Sequence, residues 1–294
     1  MLVKFAKYQS TGNDFIILDA VNDYMLRELA ENPSSINPLA IKRLCDRHIG
    51  IGADGVLVIS PRTSAERAEN NDLGVVARMT IYNADGSPAE MCGNGLRCVA
   101  LHLASKFFIG KSVARMVIAT LAGPKPCTVH FDTSSHEAIV GADLGVVAKP
   151  VRTKTKVHGR KAKLYSTSVG NPHCIMLDPP PRLLFDRDAA TLSKHWLFPD
   201  GANVSFATVT DSNALEVRVW ERGVGPTMAC GSAACAVAAV ATHAGIVRAG
   251  DEVIIRMPGG TLHVTISENG HARLVGSVSC VFTGTFHCAD LKSL

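Results

Sequence analysis

The feature that most constrains this chain is a pair of matched Cys-Gly steps. Met91-Cys92-Gly93-Asn94-Gly95-Leu96-Arg97-Cys98 leads from a glycine-rich loop into a helical pattern. Far downstream, Ala229-Cys230-Gly231-Ser232-Ala233-Ala234-Cys235 does the same. Nine residues before each first cysteine, a polar residue ends a strand-like run: Asn83 before Cys92, Glu221 before Cys230. Two thiols in matching frames predict a duplicated chain whose halves bring their cysteines to one site.

The remaining sequence carries further echoes. Ser168-Val169-Gly170-Asn171 repeats Ser10-Thr11-Gly12-Asn13, and Gly201-Ala202-Asn203-Val204 repeats Gly52-Ala53-Asp54-Gly55. Strand-like runs are predicted at Lys4–Tyr8, Arg78–Tyr82, Glu216–Trp220, Arg273–Ser279 and Val281–Phe286, and the continuous apolar run Phe15–Leu18 predicts a buried strand. Apolar residues at helical spacing predict helices over Pro38–His48, after Cys92, and over Ser232–Ala244, the last closed by Gly245. The expected fold is α+β: two pseudo-symmetric domains, each a mostly antiparallel, barrel-like sheet around a central helix, with the ligand in the cleft between them. Gly50-Ile51-Gly52-Ala53-Asp54-Gly55 has the spacing of a dinucleotide fingerprint, but it follows a helix and opens a strand, the reverse of what that fingerprint needs.

Composition narrows the function classes. A formal net charge of +4 is too mild to imply nucleic-acid binding. The most apolar stretch, Ala233–Ala241, is far shorter than the roughly 20 residues of a membrane span. Nine cysteines, an odd number with no leader-like segment before them, favour a reducing cytoplasm over a disulfide framework. Residues 149–163 hold seven basic and no acidic side chains, read most simply as a solvated connection and alternatively as a docking patch for a polyanion. Pro61–Asp72 reads as a polar surface loop.

A thiol that opens a helix sits among N–H groups and a dipole that favour negative charge, and the same N–H groups bind carboxylates. Two such starts meeting on one ligand could grip its carboxylate and set a thiolate and a thiol on opposite faces of the α-carbon. That arrangement suits stereoinversion by paired acid and base, with no metal or other cofactor required. A single cysteine is ordinarily a buried, inert side chain; the paired frame singles out Cys92 and Cys230. Cys98 and Cys235 lie inside the helices and read as core. The Cys92/Cys98 and Cys230/Cys235 gaps are wider than the usual Cys-x₂₋₄-Cys of structural zinc. His173, in Gly170-Asn171-Pro172-His173, is a candidate for a supporting role.

At these residues the chain resembles the diaminopimelate epimerases. The motifs are Gly12-Asn13-Asp14-Phe15, Gly52-Ala53-Asp54-Gly55, Asn83-Ala84-Asp85-Gly86-Ser87, Cys92 to Cys98, Gly170-Asn171-Pro172-His173, Glu221-Arg222-Gly223-Val224-Gly225, Ala229-Cys230-Gly231-Ser232 and Pro258-Gly259-Gly260. The resemblance implies that the C-terminal strands return to complete the first domain. Residues 1–140 with 277–294 would then carry Cys92, and residues 141–276 would carry Cys230. It implies a pyridoxal-phosphate-independent, two-base exchange between LL- and meso-diaminopimelate in lysine and peptidoglycan precursor synthesis. Gly93, Asn94, Gly231 and Ser232 would cradle the reacting carboxylate. Asn13, Asn83, Asn171, Asn203 and Arg222 would hold the other polar groups, with Glu221 and His173 near the reacting amine and the thiols. The partner is a small molecule, and the sequence allows a homodimer.

Three positions depart from the family pattern: Gln9-Ser10 where His-Gly is frequent, Pro226 where glutamate is common, and Ala233 where glycine is frequent. Two other readings stand beside the first. One is a racemase of a different amino acid on the same scaffold, disfavoured by Arg222, Asn83, Asn171 and Asn203. The other is a non-enzymatic thiol redox or metal-binding module.

Overall fold

The computed structural model describes residues 2–21, 26–27, 36–62, 74–89, 91–131, 137–177 and 179–287. Residues 63–72 of the expected polar loop, and Cys288, lie outside them. The chain divides into two units, Met1–Ala142 with Ser277–Leu294, and Asp143–Gly276.

The first unit contains β1 (Leu2–Ser10), β2 (Asn13–Asp19), α1 (Pro38–Cys45), β3 (Gly55–Ser60), β4 (Val75–Asn83), β5 (Pro88–Ala89), α2 (Gly93–Phe107), β6 (Val113–Thr120), β7 (Gly123–Phe131) and the start of β8 (Glu137–Val146). In the second lie β9 (Val151–Val157), β10 (Arg160–Ser168), β11 (Pro172–Met176), α3 (Phe185–Ser193), β12 (Asn203–Asp211), β13 (Ala214–Glu221), β14 (Gly225–Thr227), α4 (Gly231–His243), β15 (Glu252–Met257) and β16 (Gly260–Ile266). The last strand, β17 (His271–His287), begins in the second unit and ends in the first.

Strand pairing makes the duplication explicit. In the first unit β1 pairs antiparallel with β2, β2 parallel with β3, β3 antiparallel with β4, and β4 parallel with β6. Then β6, β7 and β8 follow antiparallel, β8 pairs with β17, and β17 returns to β1, closing a barrel of eight strands. The second unit repeats the order: β10 with β11 antiparallel, β11 with β12 parallel, β12 with β13 antiparallel, β13 with β15 parallel, then β15, β16 and β17 antiparallel. The strands of each unit pack around one helix. α2 packs against β1, β2, β3, β4, β6 and β7, and α4 against β10, β11, β12, β15 and β16. Encirclement explains why α4 is apolar all round, mostly alanine and valine: a helix with no solvent face has no polar face to keep. α1 and α3 cover the outsides.

Local chemistry sets the element ends. α1 is capped by Asn37, whose side chain accepts from the Leu39 N–H, and Pro38 opens it. It stops at Cys45, three residues short of the expected His48, because the Asp46 carboxylate captures the N–H groups of His48 and Ile49 and turns the chain. α4 ends in a Schellman arrangement. Gly245, at φ 75°, donates to the Thr242 carbonyl, and Ile246 donates to the Ala241 carbonyl. The two strands expected around Cys280 are one. β17 runs through it, and the register jumps from Lys7↔Phe282 to Tyr8↔Cys280, so Val281 is the extra residue of a bulge. The Gly50–Gly55 run ends by opening β3, as its order in the sequence requires.

One sequence echo is a residue out of step. Gly55 is in register with Phe15 and Asn83. On the other side, His173 is in register with Asn203, and Val204 faces Trp220. Asn203 therefore holds the place of Gly55, one position on from the match to Asp54. The hairpin turns also differ. Thr11 and Gly12, both at positive φ, close Ser10↔Asn13, whereas Val169, Gly170 and Asn171 close Ser168↔Pro172.

Candidate active site

Both predicted thiols occupy the same helix position. Cys92 is the N-cap of α2 with φ −141° and ψ 112°, and Cys230 is the N-cap of α4 with φ −139° and ψ 117°. At such a position the first-turn N–H groups of the helix lack partners within it and converge on whatever lies at its start. At Cys92 this is visible directly: the Gly95 N–H donates to Sγ at 3.3 Å. Cys230 Sγ instead lies 3.4 Å from the Ser232 hydroxyl. Cys92 is half-buried and Cys230 is buried. Gly95, three residues after Cys92, is matched to close packing, since a Cβ there would stand 3.0 Å from the Leu57 side chain.

The other cysteines are set apart by environment. Cys98 and Cys235 are fully buried inside their helices. Burial drives the Cys98 thiol far above its ordinary value, and it pushes Cys45 and Cys174 up to about 12. Such thiols stay protonated and inert.

Around Cys92, a buried hydrogen-bond chain fixes the start of α2. Arg97, fully buried one turn along, donates through Nη2 to Ser10 Oγ at 2.6 Å, Thr11 Oγ1 at 3.1 Å and Asn94 Oδ1 at 2.8 Å. Asn94 Nδ2 donates to Asn13 Oδ1 at 3.3 Å, and Asn13 Nδ2 to Asp54 Oδ2 at 2.6 Å. Arg47 then grips Asp14 through both terminal nitrogens, at 3.0 and 2.7 Å, and reaches Asp54 at 2.9 Å. Lys7 meets Asp14 at 2.8 Å and donates to the Gly52 carbonyl. Burial alone would raise the Asp14 carboxyl; the hydrogen bonds and charges of Arg47 and Lys7 outweigh it and hold the group at about 2.

Arg97 had a place in the sequence motif but no assigned role. Its signal was available: it lies three positions after Asn94, on the same helix face. The departure at Ser10 has a local account too. Ser10 accepts from Arg97 and donates to the Ser277 carbonyl, and Gln9 ties the turn to Ser279 at 2.8 Å. The Asn94 amide accepts from Arg97 and donates to Asn13. Asn83 is exposed at the end of β4, its amide donating to Ser87 Oγ at 3.0 Å.

In the second unit the candidates form two pairs. His173, fully buried, shares a 2.9 Å hydrogen bond between Nε2 and Asn171 Oδ1. With the amide oxygen accepting, Nε2 carries the proton, and Nδ1 has no hydrogen-bond partner among the described residues. Burial, helped by the Arg222 charge, presses the imidazole down to about 3, so the ring is neutral. Asn203 is buried, and its Oδ1 accepts from the Arg222 backbone N–H at 2.9 Å. The Arg222 guanidinium is held by the Asp200 carbonyl at 3.1 Å. Glu221 is the last residue of β13 and is half-buried. Ser232 is half-buried and Ala233 is fully buried.

Solved structures share the fold of this chain, among them two whose names describe an epimerase and a racemase. A predicted epimerase from Pseudomonas aeruginosa has a TM-score of 0.70 at 15% identity, covering 98% of this chain and 100% of that one. A probable proline racemase from Agrobacterium radiobacter K84 has a TM-score of 0.71 at 14% identity, covering 99% and 96%. The chain itself belongs to the diaminopimelate epimerase family, which it matches over residues 5–148 and 165–281. It is 36% identical to the diaminopimelate epimerase of Caldanaerobacter subterraneus subsp. tengcongensis, covering 96% of this chain and 98% of the relative. The Clostridium perfringens diaminopimelate epimerase is 34% identical, with 97% and 99% covered. The protein is an epimerase. No helix among the described residues is long and apolar enough to cross a membrane.

Proposed function

We propose that this epimerase interconverts LL- and meso-2,6-diaminopimelate without pyridoxal phosphate, using Cys92 and Cys230 as paired base and acid. The observation that carries the reading is the identical placement of the two thiols, each an N-cap with nearly the same dihedral angles. One thiolate takes the α-proton and becomes a thiol. The other thiol returns a proton to the opposite face and becomes a thiolate, so charge is conserved and the roles are exchanged. N–H groups of Gly93, Asn94, Gly231 and Ser232 stabilise the carbanion through its carboxylate.

Asn13, Asn83, Asn171, Asn203 and Arg222 hold the remaining polar groups of the substrate. Glu221 and neutral His173 stand beside the reacting amine and the thiols. The reading includes a cytoplasmic enzyme serving lysine and peptidoglycan precursor synthesis; sedimentation distinguishes a monomer from a homodimer.

Exchange of the Cα proton in heavy water with LL-diaminopimelate tests the mechanism. Cys92→Ser and Cys230→Ser should each abolish isomerisation. Near-normal isomerisation by either variant rules out the two-base scheme. Comparable turnover of proline or glutamate moves the substrate assignment to another amino acid.

A further inference from the structure

The basic run between residues 149 and 163 is not a loose connection but a two-stranded ribbon, β9 and β10, joined by His158 and Gly159. Both turn residues have positive φ, 47° and 78°, as a two-residue hairpin turn of the primed type requires. The register sets Lys156 opposite Lys161 and Lys154 opposite Lys163. Such a turn makes the flanking Val157↔Arg160 a hydrogen-bonded pair, so by alternation the two lysine pairs are of the non-hydrogen-bonded kind, whose side chains stand closer. Like charges directly opposed across a sheet destabilise it. All four lysines are exposed, and among the described residues none makes an ion pair.

The ribbon is nevertheless held firmly from its other face. Val157 and Leu164 enter a core with Phe185 and Leu192 of α3, and Arg160 pairs with buried Asp188. The lysines thus stand on a rigid platform. They are also remote from the thiol of their own unit. Tyr165, next on the lysine face, packs edge-on to His243 at the C-terminal end of α4, whereas Cys230 caps its N-terminal end, about 20 Å away at the helical rise. The four lysines of the ribbon fall between the two segments matched by the epimerase family, residues 5–148 and 165–281.

We propose that β9 is a docking edge for an acidic segment of a partner protein, bound as an added strand. Three features select this occupant. Among the described residues β9 pairs with β10 alone, leaving its outer edge open. Because Lys154 and Lys156 belong to non-hydrogen-bonded pairs, their backbone N–H and C=O groups point to that open edge. A strand added there would set its own residues beside Lys154 and Lys156 on the lysine face. Acidic side chains at alternate positions, about 7 Å apart, would then meet both lysine pairs. Single-stranded nucleic acid is disfavoured because the aromatic on the lysine face, Tyr165, is packed against His243 and no phenylalanine, tyrosine or tryptophan stands between the lysines to stack a base. A groove of about 740 Å³ borders the same stretch, lined also by Met176, Pro179 and Pro180, and gives room for the partner's flanking residues.

The test uses the full chain and short synthetic peptides of one composition, with glutamate either at alternate positions or in a block. The alternating peptide should bind more tightly than the blocked one and lose affinity as salt rises. It should also slow hydrogen exchange at the Lys154 and Lys156 amides. K154Q/K156Q/K161Q/K163Q should weaken binding roughly tenfold, as expected for a few exposed ion pairs, while epimerisation is unchanged. Equal binding of the two peptides, or preferential binding of tripolyphosphate or single-stranded DNA, overturns the proposal. So does a quadruple variant that self-associates when the parent binds no peptide, since the lysines would then guard the edge against aggregation.

Discussion

At the scale of single residues, Arg97 tells most about how the site is held. It is a cation buried in a helix, and its worth lies in fixing the orientation of Asn94 and the turn at Ser10 and Thr11. All three hydrogen bonds come from Nη2 at the end of a planar guanidinium, a position that a lysine ammonium on its flexible stem does not fix. Arg97→Lys should lower kcat roughly tenfold and Arg97→Met about a hundredfold, the penalty of misplacing a site by about 1 Å. Steady-state kinetics beside circular dichroism will show whether rate falls while the fold is retained; unchanged kcat in both would make Arg97 a packing residue. Cys98→Ala is expected to keep most activity, in contrast to Cys92→Ser, since a fully buried thiol nearly two helical turns along has no access to substrate. The motif spelled out Arg97 and Cys98 equally plainly. Both are fully buried; what separates them is the set of hydrogen bonds Arg97 makes to Ser10 and Thr11, and those depend on what a distant segment lays against the helix.

At the scale of elements, the helix starts were legible because capping is local. A Cys-Gly step before apolar residues at helical spacing is a signal carried within about ten residues, and both N-caps fall where it puts them. The C-terminal stop of α4 was equally legible from Gly245. Its φ of 75° makes Gly245→Ala cost about 1 kcal/mol, a drop in melting temperature of roughly 2–4 °C with epimerisation unaffected. Differential scanning calorimetry checks it. The ends decided by side-chain competition were not legible. α1 stops early because Asp46 bonds forward to two N–H groups, and β17 passes Cys280 unbroken because a bulge absorbs Val281. Neither choice is written in hydrophobic periodicity.

At the scale of the whole molecule, buried ionisable groups set the response to acid. His173 is held neutral with its folded value near 3, well below the ordinary imidazole. Its contribution is therefore complete above about pH 6.5 and is lost as pH falls from there towards 3, a loss on the order of a few kcal/mol. Asp14 adds a second loss lower down, present above its ordinary carboxyl value and fading as pH falls through about 2. Urea midpoints between pH 7.5 and 4 should fall for the parent protein and fall less for His173→Asn. An equal slope in both would place the acid sensitivity elsewhere.

The sequence by itself determined the duplication, the two matched Cys-Gly steps and the helix that follows each, because matched local motifs repeat whatever surrounds them. Only the tertiary structure decided how the barrel of the first unit closes, which hydroxyls and amides Arg97 grips, and that the basic run is a ribbon with paired lysines. Those features rest on hydrogen bonds between residues far apart in the chain, such as Ser10 with Ser277 and Gln9 with Ser279. Local periodicity says that a strand exists and which face is apolar; register across a ladder is set by the strand it meets.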